Sequence, residues 1–249
     1  MNSPTDAIIS WFIKNQPEMK VEVRPAFEAE KLFEIIATGR YTIKANNGKK
    51  YGYELSIIIP PPTNNFSIPE VVCIDNKLYP SLERHILSNR KACLGTRFDI
   101  FKIIHKNRAF SYFAKEVIDP FVVWQLYYDA FGKPPPWGER EHGFIGELHS
   151  ITDYLAKIWN LSSEQCFRML TERKPKKRKK CFCGSKLQFR YCHGKYIYPL
   201  HRKFAEIKSM TAEEYMLEAN KKIDELLLPF LRHIMYLPVD NQIINQKDS

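Results

Sequence analysis

The stretch LFEIIATGRYTIKANNGKKYGYELSIIIP, residues 32–60, decides the fold. Its two halves, 32–44 and 51–60, are rich in β-branched and aromatic residues, which favour strands. Between them, Asn46-Asn47-Gly48 is typical of a hairpin turn, because asparagine and glycine tolerate the left-handed backbone that tight turns need. A run of prolines at 60–62 then ends the second strand. The stretch therefore predicts an antiparallel hairpin.

Segments on either side extend this hairpin into a sheet. Met19, Val21 and Val23 alternate with charged residues, as in a strand that is buried on one face. The sequence PEVVCI at 69–74 predicts a further short strand. Near the start of the chain, Ser3-Pro4 is typical of a helix N-cap followed by proline in the first turn. We therefore expect an N-terminal helix and an antiparallel meander of about four strands.

Beyond the sheet the pattern changes. Residues 75–97 have little periodicity and predict a long ordered loop, and such loops in compact domains are often functional. Three helical patterns follow: one from Asp119-Pro120 to Phe131, one over 150–159, and one from Ser162 to Leu170 that opens with a Ser162–Gln165 capping box. Strands followed by helices in this order predict an α+β fold.

Composition narrows the class of protein. The chain has 249 residues, of which 44% are hydrophobic, which is enough for a real core. No apolar run approaches the roughly 20 residues that cross a bilayer, and no leader pattern is seen, so we expect no membrane partner and a cytoplasmic protein. Cys73, Cys93 and Cys166 are scattered rather than paired in spacing, which favours a reducing compartment.

Positive charge is concentrated in one short tract. Of the net charge of +10, six positive charges come from KPKKRKK at 174–180. Because like charges repel and extend a chain, this tract predicts a solvated linker. A tract that contacts nucleic acid is the alternative interpretation. We accordingly expect an α+β domain over 1–173, the linker over 174–180, and a module over 181–249 that ends in an amphipathic helix after a Thr211–Glu214 capping box.

The module begins with CFCGSKLQFRYCHG, residues 181–194. Cys181, Cys183, Cys192 and His193 bring three thiols and an imidazole within 13 residues. Thiolates and a ring nitrogen suit a closed tetrahedral Zn²⁺ site, which is structural rather than catalytic. We expect one such zinc per chain. Unligated surface thiols are the alternative.

A candidate for chemistry is the loop sequence HILSNRKACLG, residues 85–95. It places His85 eight residues before Cys93. A thiolate is the reactive form of cysteine, and nearby cations such as Arg90, Lys91 and Arg97 would favour it. The alternative is that Cys93 is a small buried hydrophobe, as single cysteines often are.

The order of these motifs resembles that of a ubiquitin-conjugating enzyme over roughly residues 20–160. YELSIIIPPP resembles the third strand and proline turn of that fold, and IPEVVCIDNKLYP resembles the fourth strand and its exit. WGEREHG at 137–143 is similar to a tryptophan-glycine and histidine-glycine element in prokaryotic relatives, some encoded beside anti-phage signalling enzymes.

The resemblance implies a transferase in which Cys93 forms a thioester with a ubiquitin-like carrier protein. The partners implied are an activating enzyme, the carrier and an acceptor protein. His85 takes the position of the family's histidine before the nucleophile. The family's His-Pro-Asn is replaced here, since Ile86 and Leu87 follow His85, and Asn89 is the nearest asparagine for an oxyanion role.

The cysteine motif resembles the SEC-C motif, named for the C-terminus of the SecA translocation ATPase. Gly184-Ser185 and the aromatic Tyr191 before the third ligand also match it. In relatives this unit acts as a docking module.

Two alternatives remain open. The first is that the chain is a non-catalytic zinc adaptor, which binds protein or nucleic acid through residues 174–180 and the SEC-C unit. His142 and His149 form a second, weaker metal candidate, against which a simple turn is the alternative, because Gly143 and Gly146 weaken a continuous helix.

Overall fold

The computed structural model describes residues 3–25, 33–61, 68–137, 143–171, 178–181, 185–195, 197–199 and 201. The chain divides into two compact units, Met1–Glu139 and Arg140–Ser249. This division lies earlier than the boundary expected after residue 173, and it assigns the two helices between 143 and 171 to the second unit. Residues 174–177 of the basic tract and the Thr211–Glu214 capping box lie outside the described residues.

The first unit opens with helix α1, Pro4–Asn15. The Ser3 side chain accepts a hydrogen bond from the Asp6 amide at 3.1 Å, and the Asp6 carboxylate accepts one from the Ser3 amide at 3.0 Å. The two bonds satisfy donors that a helix start leaves open. The predicted N-cap at Ser3 is confirmed.

A four-stranded antiparallel sheet follows, in the order β1 (Met19–Pro25), β2 (Phe33–Lys44), β3 (Lys50–Ile59) and β4 (Glu70–Cys73). The turn between β2 and β3 is closed by two hydrogen bonds of 2.9 Å, from the Ala45 amide to the Lys49 carbonyl and from the Gly48 amide to the Ala45 carbonyl, and Gly48 has a φ of 80°. The predicted meander is confirmed in strand number, order and turn.

One face of the sheet forms the core. Alternate residues of β2 and β3 are buried, among them Ile35, Ala37, Tyr41, Leu55 and Ile57. They pack against Phe12 of α1 and against the helices that follow the loop. Gly52 allows β3 to lie close to β2, because a Cβ at this position would lie 1.8 Å from the Tyr41 carbonyl oxygen.

Helix α2 spans Arg97–Lys106, and a second helical run spans α3 (Phe110–Phe113), a π-helical segment (Ala114–Ile118) and α4 (Asp119–Phe131). The predicted helix from Asp119 to Phe131 is confirmed, but the helical run begins nine residues earlier, at Phe110. Pro120 lacks the amide that an α-helix uses for hydrogen bonding, and it lies in the first turn of α4, two residues after the π-helical segment ends.

The second unit contains helices α5 (Gly143–Trp159) and α6 (Ser163–Thr171). The Ser162–Gln165 capping box is confirmed, with bonds of 2.9 and 3.1 Å. The turn that was the alternative around Gly143 and Gly146 is not observed, since both residues lie within α5. Burial of Leu148, Ile151 and Leu155 outweighs a cost of about 1 kcal/mol per glycine.

The second metal candidate gains no support, because the His149 ring packs on Phe167, with ring centroids 5.6 Å apart, and His142 lies outside the described residues. Among the residues that the structure describes, no helix combines the length and the apolarity needed to cross a membrane.

Candidate functional site

The loop between β4 and α2 is irregular, as predicted, but it contains a short hairpin. Isolated bridges pair Ser81 with Ile86 and Ile86 with Ala92. The second arm of this hairpin also continues the sheet. The Cys73 amide donates to the Arg90 carbonyl at 2.9 Å, and the Ala92 amide donates to the Val71 carbonyl at 2.7 Å. The segment before Cys93 is therefore held along the edge of β4.

His85 and Cys93 face each other across this hairpin. The Cys93 amide donates to the His85 carbonyl at 2.7 Å, and the Leu87 amide donates to the Lys91 carbonyl at 2.9 Å. Together with the Ile86–Ala92 bridge, these bonds place residue 85 opposite residue 93. The eight-residue spacing between His85 and Cys93 therefore arises because the segment between them forms the two arms and the turn of a hairpin. Both residues are half-buried.

Asn89 lies at the turn of the hairpin and is exposed. Its side-chain oxygen accepts a hydrogen bond from the Lys91 amide at 3.1 Å, which is an Asx turn. The Arg90 amide completes the turn by donating to the Leu87 carbonyl at 2.8 Å. The structure therefore brings His85 and Cys93 together through their backbones, and it gives Asn89 a contact within the turn.

Two of the cations expected to favour the Cys93 thiolate hold the loop in place. The Arg90 guanidinium donates to the carbonyls of Cys73, Asp75 and Leu78, at 2.6, 2.8 and 3.2 Å. The Lys91 ammonium lies 2.6 Å from the Glu70 carboxylate. Both side chains thus cross-link the hairpin to β4 and to the segment that follows it.

Helix α4 fixes the first arm of the hairpin, a relationship that sequence analysis missed. The Trp124 indole N–H donates to the Glu83 carbonyl at 3.0 Å, and the Gln125 amide donates to the Arg84 carbonyl at 2.6 Å. The His85 ring packs edge-on against Trp124, with centroids 4.6 Å apart. Side chains about 40 residues away in the chain therefore hold the turn that ends at His85.

The other two scattered cysteines are poor nucleophiles. Burial raises the pKa of the Cys73 thiol to about 12 and that of the Cys166 thiol to about 11. Near neutral pH both thiols are almost wholly protonated, and the thiolate is the reactive form. Cys93 differs from them in being only half-buried.

In the second unit, three of the four predicted metal ligands lie together. The His193 Nδ1 atom lies 3.2 Å from the Cys181 sulfur and 3.3 Å from the Cys192 sulfur, and all three donor atoms are within 4.8 Å of one another. Donor atoms around a tetrahedral zinc lie about 3.5 to 3.8 Å apart, given Zn–S and Zn–N bonds of about 2.3 and 2.0 Å. The observed nitrogen–sulfur distances are slightly shorter than these, and the three donor atoms are close enough to hold a metal ion. Cys183, the fourth predicted ligand, lies outside the described residues.

A short hairpin and a helical turn build this cluster. Lys180 pairs with Gln188, and the Cys181 amide donates to the Leu187 carbonyl at 2.8 Å. A 3₁₀ turn over Phe189–Tyr191 then delivers Cys192 and His193. Gly194 is required here, because a Cβ would lie 2.5 Å from the Phe189 carbonyl oxygen.

Two further contacts orient the candidate ligands. The Ser185 hydroxyl donates to the Cys192 sulfur at 3.4 Å, and the Trp159 ring packs edge-on against His193, with centroids 4.6 Å apart. Partners of this kind fix the orientation of metal ligands.

Comparisons with protein-family models, with curated proteins and with solved structures found no match.

Proposed function

We propose that the protein is a ubiquitin-conjugating-like transferase that carries an acyl group on Cys93. The observation that carries this proposal is the placement of a half-buried cysteine, opposite a histidine, on a hairpin that extends the last strand of a four-stranded antiparallel meander. The activity belongs in the cytoplasm, where thiols stay reduced. A bacterial conjugation or anti-phage defence pathway would supply its partners.

The reaction is a pair of acyl transfers. The Cys93 thiolate attacks the thioester carbonyl that joins a carrier protein to its activating enzyme, a new C–S bond forms, and the enzyme's thiolate leaves. An acceptor amine then attacks the Cys93 thioester. An amide bond forms, the amine loses a proton, and the Cys93 thiolate leaves.

The hairpin constrains where oxyanion donors come from. The Cys93 amide is bonded to the His85 carbonyl, so this donor serves the hairpin. Asn89 lies at the tip of the same turn and anchors it through its oxygen, four residues along the arm from Cys93, so this conformation does not place its amide nitrogen at the reacting carbonyl. His85 helps to position Cys93 in this scheme, because its carbonyl accepts the Cys93 amide and its ring packs against Trp124.

A small acyl thioester tests the proposal without any partner. The full chain is incubated with S-acetyl-2-mercaptoethanesulfonate, and the acetylated residue is located by mass spectrometry. We expect acetyl transfer to Cys93 that dithiothreitol reverses, and loss of the adduct in Cys93→Ala. Cys73→Ser and Cys166→Ser serve as matched controls and should keep it. An equal adduct in Cys93→Ala would rule out the assignment.

We also propose that Cys181, Cys183, Cys192 and His193 hold one structural Zn²⁺. The three described donor atoms and their spacing support this. Zinc bound there would keep both thiols as thiolates and join the hairpin to the helical turn. Elemental analysis of the full chain should give one zinc per chain, and Cys192→Ser should lower that content. Protein purified with no zinc and an unchanged fold around residues 185–195 would contradict the proposal.

An adaptor role that binds nucleic acid is the second candidate. It is favoured by the exposed cations at 178–180 and by Arg190, whose guanidinium lies 4.3 Å from the centroid of the Tyr191 ring. The Tyr191 side chain is 62% exposed and offers a stacking surface. Salt-dependent binding of single-stranded RNA, lost when Arg178, Lys179 and Lys180 become glutamine, would support this role, and its absence at low salt would exclude it.

A further inference from the structure

The turn from Glu83 to His85 has a backbone that needs outside support. His85 has a φ of 54°, in the left-handed region that a residue with a Cβ rarely occupies. Such backbone persists where the surrounding structure holds it. The His85 carbonyl accepts a hydrogen bond from the Cys93 amide, so the backbone conformation of His85 determines where the Cys93 amide lies.

Arg84 stands at the centre of that support. The residue is only 5% exposed, and its guanidinium lies between the rings of Tyr79 and Tyr128, at 4.6 and 4.4 Å from their centroids. One nitrogen donates to Gln125 Oε1 at 3.3 Å, and another pairs with the Asp129 carboxylate. Gln125 returns a hydrogen bond to the Arg84 carbonyl at 2.6 Å. The side chain and the main chain of Arg84 are therefore bound by the same helix.

The network also reaches the sheet. The Tyr53 hydroxyl donates to the second oxygen of Asp129 at 2.7 Å, so β3 fixes the carboxylate that pairs with Arg84. Tyr128 binds the Glu83 carboxylate at 2.8 Å, next to Arg84 in the chain. Sheet, helix and loop thus meet at one buried cation.

We propose that Arg84 is a positioning residue for Cys93. It anchors the Glu83–His85 turn to α4, and the turn holds the Cys93 amide through the His85 carbonyl. The expected effect on acyl transfer rests on the proposed transferase function. The expected effect on the geometry of the hairpin does not depend on that function. A lysine would keep the charge but lose the planar fork that reaches two acceptors while stacked between two rings.

Arg84→Lys and Asp129→Asn, made in the full chain, test the inference. Tyr41→Phe is the matched control, because it removes a partly buried hydrogen bond elsewhere in the first unit, between Tyr41 and Asp119. Two quantities are measured: the hydrogen-exchange rate of the Cys93 amide, and the rate of Cys93 acetylation by S-acetyl-2-mercaptoethanesulfonate. We expect both Arg84-network variants to exchange this amide about tenfold faster or more, given the cost of disturbing a buried charge pair. Cys93 acetylation should slow by about the same factor.

The outcomes separate the two proposals. Wild-type exchange and acetylation rates in both variants would overturn the positioning role. An equal acceleration of exchange in Tyr41→Phe, at the same loss of stability, would also overturn it, because the effect would then be global. If Cys93 is not acetylated even in the wild-type protein, the transferase proposal fails, and the amide exchange rate together with the rate of iodoacetamide alkylation still decides the role of Arg84.

Discussion

The Tyr41 hydroxyl donates to the Asp119 carboxylate at 2.7 Å, across the interface between β2 and the start of α4. Tyr41 is 1% exposed, and the contact joins residues 78 positions apart. It joins β2 to the first turn of α4, five residues before Trp124, where the contacts of this helix with the Cys93 hairpin begin.

Removing this hydroxyl should destabilise the first unit without touching the hairpin. In Tyr41→Phe, the half-buried Asp119 carboxylate loses its donor, and we expect the free energy of unfolding to fall by about 1.5 to 3 kcal/mol, as for hydrogen bonds to charged groups. Urea denaturation followed by far-UV circular dichroism measures the change. Thr38→Ala removes a hydroxyl contact on the exposed side of the same strand and should change stability by less than about 0.5 kcal/mol.

Asp119 should also give the protein a pH-dependent stability. Burial raises the pKa of Asp119 above its ordinary value, although the Tyr41 hydrogen bond lowers it in part. Because the folded pKa is the higher one, the stability that this group contributes is fully present below the unfolded pKa of about 3.9 and is lost as pH rises through the folded value.

Asp119→Asn removes this titration. Relative to the asparagine variant, the wild-type protein should therefore lose unfolding free energy between about pH 4 and neutral pH. Urea unfolding of the two proteins at several pH values in that window gives the difference. A difference that stays constant with pH would show that Asp119 titrates normally in the folded protein.

Cysteine alkylation should be selective for Cys93 over the two buried thiols. With pKa values of about 12 and 11, Cys73 and Cys166 are thiolate in fewer than roughly one molecule in a thousand near pH 7.5. Iodoacetamide labelling for short times, read by peptide mass spectrometry, should modify Cys93 at least about tenfold faster than either. Labelling of Cys73 at a comparable rate in the folded protein would contradict the assigned burial.

Gly194→Ala should weaken the proposed zinc site. An added Cβ would lie 2.5 Å from the Phe189 carbonyl oxygen, so the turn that delivers Cys192 and His193 must shift. We expect zinc affinity to fall by about tenfold to a hundredfold, as for disturbed partners of metal ligands. Competition with a colorimetric chelator measures it.

Gly132→Ala is the control for that experiment. Gly132 ends α4 with a φ of 65°, and no atom lies within 4 Å of an added Cβ, so the substitution strains the backbone of the first unit alone. Its zinc affinity should equal that of the wild-type protein. An equal loss in both variants would mean that the affinity change reports general destabilisation.

Local chemistry explains what was predictable from the sequence. Alternation in β2 and β3, the Asn46-Asn47-Gly48 turn and the Ser3 and Ser162 caps each depend on residues within a few positions of one another, so the meander and several helix boundaries followed directly. The proximity of Cys181, Cys192 and His193 was predictable for the same reason, since few residues separate them in the sequence.

Tertiary structure alone decided how Cys93 is held. The loop carries no periodicity from which the Ile86–Ala92 pairing follows, and Asn89, near Cys93 in sequence, serves the turn of that hairpin. Nothing in the sequence indicates that Gln125 and Asp129 bind Arg84, which lies more than 40 residues earlier. Such contacts form only when a sheet and a helix pack together, because a buried guanidinium must find acceptors wherever the fold places them.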